Sequence, residues 1–276
     1  MSVKLSRHDR YRLSLGRRLS AGWRVLPDFI ILGAQKAGTT TLFDNLVKHP
    51  NVKPSDIKEV HFFDNNWLRG EKWYRAHFPF DNGDHKRREW IAGEGSPYYL
   101  MHPLVAARIK QVVPNAKLLI ILRDPVTRAY SHFQHEKRKG REKLSFEEAL
   151  AAEEDRLAGE QQRLENDPEY CSFPLQHYSY KLRGHYAEQI ERYFHLFDRK
   201  QVCVLDNLEL DQNFTATFDR LFDFLQLPPF KVERPKRSNV GSYERMREDT
   251  KEMLTRYFQP HDDRLETLLG RKLSWR

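Results

Sequence analysis

Residues 27–46, Pro-Asp-Phe-Ile-Ile-Leu-Gly-Ala-Gln-Lys-Ala-Gly-Thr-Thr-Thr-Leu-Phe-Asp-Asn-Leu, constrain this chain more than any other stretch. The apolar run 29–32 reads as a strand buried inside a parallel sheet, and Gly33 ends it. A helix follows at once, opened by Gly38, Thr39, Thr40 and Thr41, with Leu42, Leu46 and Val47 recurring at helical spacing. A glycine-bounded turn feeding a helix start presents backbone N–H groups and the positive end of the helix dipole, which makes an anion site. The common phosphate loop reads G-x-x-x-x-G-K-[ST]; here Gly33 and Gly38 keep that separation, but Thr39 stands where the lysine belongs and Lys36 lies inside the loop. The alternative is an ordinary strand-loop-helix with an incidental lysine.

Further along, Pro50 and Pro54 mark a loop, and 58–64, Lys-Glu-Val-His-Phe-Phe-Asp, sets charges into an aromatic run. Phe62 and Phe63 favour burial and would hold Glu59 and His61 at a pocket edge, where a partly desolvated carboxylate beside a histidine suits a general base. An amphipathic strand with surface charges is the competing reading. The pattern predicts a helix over 67–80, a strand from Trp90 into a Gly- and Pro-containing loop at 94–99, a helix over 103–113 and a strand at 117–122. Loops at strand carboxyl ends line the ligand crevice of an open parallel sheet, so 94–99 belong near the anion loop.

The 117–122 strand runs into Arg123-Asp124-Pro125, and Pro125 suits the first position of a helix reaching Arg138. Arg123 and Ser131 can converge on a second anion, a guanidinium fork and a hydroxyl; an exposed Arg123–Asp124 ion pair is the alternative. Residues 139–165, dense in charge, read as exposed helices inserted between core elements, with a lid over an acceptor as the functional option. Helices at 186–197 and 214–225, a strand at 201–205, a last helix at 244–258 and a packing tail at 265–275 complete the chain.

At 276 residues with 31% charged side chains, the chain reads as one large soluble α/β domain. No apolar run approaches the roughly 20 residues that span a bilayer, and no signal-peptide core is expected. Two distant cysteines, Cys171 and Cys203, point to a reducing cytoplasm rather than a disulfide framework. Residues 1–26 hold seven basic side chains against Asp9, so +6 of the net +8 lies there. This basic N-terminal extension reads as a solvated arm, with an acidic membrane surface, an acidic substrate or nucleic acid as candidate contacts.

The loop Gly33–Thr41, the string 58–64, and Ile-Leu-Arg-Asp-Pro with a serine eight residues after the arginine occur in this order. Together they resemble the sulfotransferases that use 3′-phosphoadenosine 5′-phosphosulfate (PAPS), in the branch of heparan sulfate 3-O-sulfotransferases and bacterial sulfotransferase-domain proteins. The resemblance implies a P-loop-like three-layer α/β fold with a central parallel sheet flanked by helices, occupying 27–276. It implies that Lys36, Gly38, Thr39 and Thr40 hold the 5′-phosphosulfate, that Arg123 and Ser131 hold the 3′-phosphate, and that a basic loop containing Arg237 and Gly241 closes over the nucleotide. Glu59 becomes the base, His61 its assistant, and Lys36 the cation at the leaving oxygen. No metal is demanded, and the expected partner is a small-molecule or glycan acceptor rather than nucleic acid. The chain departs from the heparan-modifying members with Gly95 where they carry a lysine, and with Val240-Gly241-Ser242 where they carry Lys-Gly-Arg. The implied reaction moves a sulfuryl group to a hydroxyl, or an amine, of a carbohydrate, lipid or small metabolite. A metal-dependent phosphotransferase and a non-catalytic nucleotide- or sulfated-glycan-binding module are the other two readings.

Overall fold

The structure, a computed structural model, describes residues 13–81, 83–87, 89–234 and 245–276. Five strands, β1 Phe29–Gly33, β2 Val52–Pro54, β3 Ile91–Gly95, β4 Lys117–Leu122 and β5 Val202–Asp206, form one sheet in the order β2-β3-β1-β4-β5. All of the pairings are parallel. Successive strand residues point to opposite faces, yet all of β1 and β3 is buried, so helices cover both sides of the sheet. Phe29–Leu32 and Leu118–Ile121 are fully enclosed and form the centre of the core. β3 passes so close to Phe29 that a side chain on Gly93 would sit 2.2 Å from its ring. Glycine is the residue that fits.

The Pro125–Arg138 helix starts as its sequence suggests, with Pro125 in the first turn and the Asp124 carboxylate accepting from the N–H groups of Val126 and Thr127. Its outer side carries a second apolar cluster, in which Val126, Ala129 and Phe133 meet Phe146, Ala149 and Leu150 of the inserted segment and Leu254 and Phe258 of the last helix. The insertion is three short helices, Phe146–Ala151, Glu153–Leu157 and Glu160–Asn166, with solvent on one side and this packing on the other.

Several expectations need correction. Residues 50–54 contain a strand, β2, because Pro54 ends an edge strand, where a missing N–H breaks no ladder. The helix expected over 67–80 is a single 3-10 turn, Trp67–Arg69, and a short helix, Gly70–Arg75. The last helix does not stop before Pro260 but runs Glu248–Leu269. Burial of Leu254, Phe258 and Leu265 along one face outweighs the hydrogen bond that the proline removes.

Part of the basic N-terminal segment is tied to the body. Arg24 is buried, donating to Ser20 Oγ at 2.9 Å and to the Phe78 carbonyl at 2.6 Å, and Arg17 pairs with Asp56 at 3.4 Å. Leu15, Leu19 and Trp23 are exposed. Cys203, in β5, is a free thiol. Among the described residues no helix is long and apolar enough to cross a membrane.

Candidate active site

The carboxyl ends of β1, β3, β4 and β5 share one edge of the sheet, where ligands of open parallel sheets bind. The loop after β3 is stitched to β1 by Ser96 N–H to the Ile31 carbonyl, 3.1 Å, and Leu100 N–H to the Leu32 carbonyl, 2.8 Å. From the far side Asn207, just beyond β5, donates to the Ala37 carbonyl at 2.8 Å. Between them runs the 34–38 loop, which ends at Gly38 with φ +105° as the cap of the Thr39–Leu46 helix. A side chain on Gly38 would meet the Asn207 amide at 2.8 Å, so both backbone angle and space require glycine. No side chain caps this helix start, and Thr40 is exposed while Thr39 is buried. The first-turn N–H groups are thus available to an anion.

Lys36 lies within this loop, half-buried and in the left-handed region at φ +70°. Burial lowers its pKa, and the charges of Arg138, Arg123 and Lys139 lower it further, with Glu136 opposing. Four cations therefore crowd one space, a distribution that an anionic ligand would relieve. Arg123 leaves β4 toward the same loop, with Nε donating to Thr127 Oγ1 at 3.1 Å and Nη1 to the Lys36 carbonyl at 3.3 Å. Asp124 is engaged in capping its helix. The Arg123 carbonyl is in turn held by the Tyr186 hydroxyl at 2.8 Å. Ser131 lies two turns along the same helix and is almost buried. Arg237 and Gly241 lie outside the described residues.

Across this space sits the 58–64 segment, which forms bends and turns rather than the amphipathic strand that was the competing reading. Phe62 and Phe63 are buried, Phe62 stacking on Tyr74 with centroids 4.4 Å apart, and they anchor the loop while Lys58, Glu59 and His61 stay partly exposed. His61 Nδ1 meets Asp64 Oδ2 at 2.7 Å and His61 Nε2 meets Glu59 Oε2 at 3.5 Å. Burial works to raise the Glu59 pKa, but the hydrogen bond and charge of His61, with Lys58 and Lys139, hold it below its ordinary value. Asp64 is fully buried and likewise held low by His61 against the effect of burial. Lys139 acts electrostatically on both Lys36 and Glu59, so the cation cluster and the carboxylate are electrostatically coupled through it.

The structure thus brings together Lys36 with Arg123, and Glu59 with His61. It adds Asp64, Arg138, Lys139 and Asn207, which sequence reasoning did not single out. Asp64 had a signal, since it follows His61 by three residues; the others are distant in sequence from the groups they serve. Chemically, an ionised carboxylate facing an anion loop with surplus positive charge can take a proton from a nucleophile while the cations stabilise an anionic leaving group. Among the described residues no group of three or more His, Cys, Asp or Glu is arranged to hold a metal ion.

A family model described as "Sulfotransferase domain" matches residues 26–264. The bifunctional heparan sulfate N-deacetylase/N-sulfotransferase 1 of Caenorhabditis briggsae is 30% identical over 236 residues, covering 81% of this chain and 25% of that protein. The membrane-associated sulfotransferase kil1 of Dictyostelium discoideum is 25% identical over 316 residues, covering 91% of this chain and 66% of its own length. A solved structure of a sulfotransferase from Alicyclobacillus acidocaldarius superposes with a TM-score of 0.68 at 32% identity, over 91% of this chain and 98% of that one. The chain thus spans about a quarter of the nematode protein and about two thirds of the slime-mould one.

Proposed function

The chain belongs to the sulfotransferase-domain family, and from that premise we propose that residues 27–276 transfer the sulfuryl group of PAPS to an acceptor hydroxyl. The observation that carries this reading is the crowding of Arg123, Arg138 and Lys139 on Lys36 at the anion loop, with Lys139 also acting on the ionised Glu59. PAPS has anions at both ends of its ribose and needs two cationic grips. The uncapped helix start with Lys36, Gly38, Thr39 and Thr40 suits the 5′ end, and Arg123 with Ser131 suits the 3′-phosphate. The loop containing Arg237 and Gly241 is proposed to add a further contact.

The step itself is a displacement at sulfur. Glu59 takes the proton from the acceptor O–H, the acceptor oxygen forms the new S–O bond, and the bond from sulfur to the 5′-phosphate oxygen breaks. Lys36 stabilises the negative charge left on that oxygen, and the product is adenosine 3′,5′-bisphosphate. His61, steadied by Asp64, orients Glu59. We propose a carbohydrate, lipid or small-metabolite hydroxyl as acceptor, with an amine as the second choice; heparan sulfate is named by several relatives but is not carried over to this chain.

Transfer of labelled sulfur from PAPS to a panel of such acceptors tests the reading. Label is expected to reach an acceptor hydroxyl in EDTA as fast as in Mg²⁺, with one bisphosphate formed per transfer. ATP turnover that needs Mg²⁺ would establish the phosphotransferase instead, and tight donor binding without transfer the binding module. Two further proposals concern location. The presence of two cysteines, Cys171 and Cys203, far apart in sequence supports a reducing cytoplasm. The exposed Leu15, Leu19 and Trp23, beside Arg18, support peripheral contact of the basic N-terminal segment with an anionic membrane. Fractionation of the native protein tests both: recovery from an oxidising compartment removes the first, and absence from every membrane fraction the second.

A further inference from the structure

Beneath the loop that carries Glu59 and His61 lies a carboxylate that the transfer step does not use. Glu94, in β3, is fully buried, and three hydroxyls converge on it. Tyr74 and Tyr99 donate to Oε1 at 2.8 and 3.0 Å, and Ser96 donates to Oε2 at 2.8 Å. Each hydroxyl has one proton and gives it to Glu94, which leaves the oxygen lone pairs free to accept. Ser96 Oγ accepts the His61 backbone N–H at 3.1 Å, and the Tyr99 hydroxyl accepts those of Phe62 at 2.8 Å and Phe63 at 3.3 Å. Three successive N–H groups of the catalytic loop are therefore held by oxygens that Glu94 polarises. The hold matters at His61, whose φ of +53° is unfavourable for a residue with a Cβ and persists only under external constraint.

We propose that Glu94 is a positioning residue: by drawing the protons of Ser96 and Tyr99 toward itself, it fixes both hydroxyls as acceptors for the His61–Phe63 backbone and so holds His61 between Glu59 and Asp64. The inference rests on the reading of Glu59 as base. It depends on hydrogen-bond direction. A protonated Glu94 must aim its own proton at one of the three hydroxyls, and that hydroxyl must turn its proton elsewhere. If Ser96 or Tyr99 turns, its proton competes with the loop N–H that it accepts, even though these two hydroxyls also interact with each other. If Tyr74 turns, a fully buried proton loses its carboxylate partner and the network that orients the other two hydroxyls is broken. The clamp is complete when Glu94 is ionised.

Burial raises the Glu94 pKa to about 7. The groups facing it oppose that rise: Ser96 and Tyr99 from the loop after β3, Tyr74 from the Gly70–Arg75 helix, and the charge of His61. The carboxylate predominates above that pH and is lost as pH falls through it, so the clamp is expected to tighten between about pH 6 and 8.

Glu94→Gln, which cannot ionise, tests this in the full chain. Nitrogen-15 NMR of the His61 imidazole is expected to show in the wild type an inflection near pH 7 that the variant lacks. With an acceptor found in the labelled-sulfur assay, kcat of the variant at pH 8 should drop about 10–100-fold, the size of effect that a misplaced catalytic group produces. The donor KM should change less than about twofold. Between pH 6 and 8 the wild-type kcat should climb while the variant stays flat. A folded Glu94→Gln with wild-type His61 signals and a wild-type pH profile would overturn the proposal. If Glu94→Gln does not fold, Ser96→Ala decides, because it removes the hold on the His61 N–H and one donor to Glu94 while leaving the Tyr99 contacts to Phe62 and Phe63 in place: unchanged His61 signals there overturn it equally. Should the wild type transfer no sulfur at all, the proposed reaction fails, while the NMR comparison still judges the clamp.

Discussion

Lys36→Ala is expected to lower kcat by about 10²–10³-fold, the usual cost of removing one preorganised group at a developing negative charge. The donor KM should rise far less, because Arg123, Arg138 and Lys139 still surround the loop and supply general attraction for an anion. Folding should not suffer. Burial and those three neighbours already disfavour the Lys36 ammonium in the empty protein, so deleting it relieves repulsion. Alanine keeps a Cβ at the same φ of +70°, so backbone strain is unchanged. Steady-state kinetics with a thermal melt checks all three points. A kcat within about threefold of wild type would remove Lys36 from the leaving oxygen.

Glu59→Gln should be as severe, lowering kcat by about 10²–10⁴-fold, the span attributed to a positioned general base. Glutamine keeps the shape and still reaches His61, but it cannot take a proton. The carboxylate is held below its ordinary pKa by His61, Lys58 and Lys139 against burial, so it is already ionised at neutral pH and ready to accept. Loss of activity on acidification toward neutrality is therefore not expected from Glu59 itself, and any such limb belongs to another group. Bisphosphate affinity should be nearly unchanged, since Glu59 is assigned to the acceptor proton and not to either anion grip. Single-turnover transfer beside equilibrium binding separates the two effects. Normal turnover in Glu59→Gln would assign the base elsewhere.

The parts of the fold legible in sequence are those fixed by short-range patterns. The unbroken apolar runs of β1 and β4 announce strands buried on both faces, and Gly33, Gly38 and Pro125 mark where chain direction changes. Glu59 and His61 stood out because charges inside an aromatic run are unusual. β2 looks like a loop in sequence because Pro54 is allowed in a strand only at an edge position, which becomes visible once β3 is in place. The last helix outran Pro260 because packing of its apolar face outweighs a local rule. Glu94 and Lys139 act on residues far away in sequence, and no periodicity links either to the loop it serves. Gly95 and Ser96 drew notice as departures or turn residues, but the direction of the Ser96 hydroxyl proton is a property of the folded network alone.

Titration calorimetry with adenosine 3′,5′-bisphosphate, AMP and ATP, on the wild type and on Arg123→Ala, tests most directly whether two cationic grips hold opposite ends of one nucleotide. The bisphosphate is expected to bind wild type at least about tenfold more tightly than AMP, in keeping with charge-assisted hydrogen bonds to a second phosphate. Arg123→Ala should erase that margin while leaving AMP affinity close to its wild-type value. Equal binding of all three nucleotides by the wild type, or a bisphosphate preference that survives in Arg123→Ala, would contradict it.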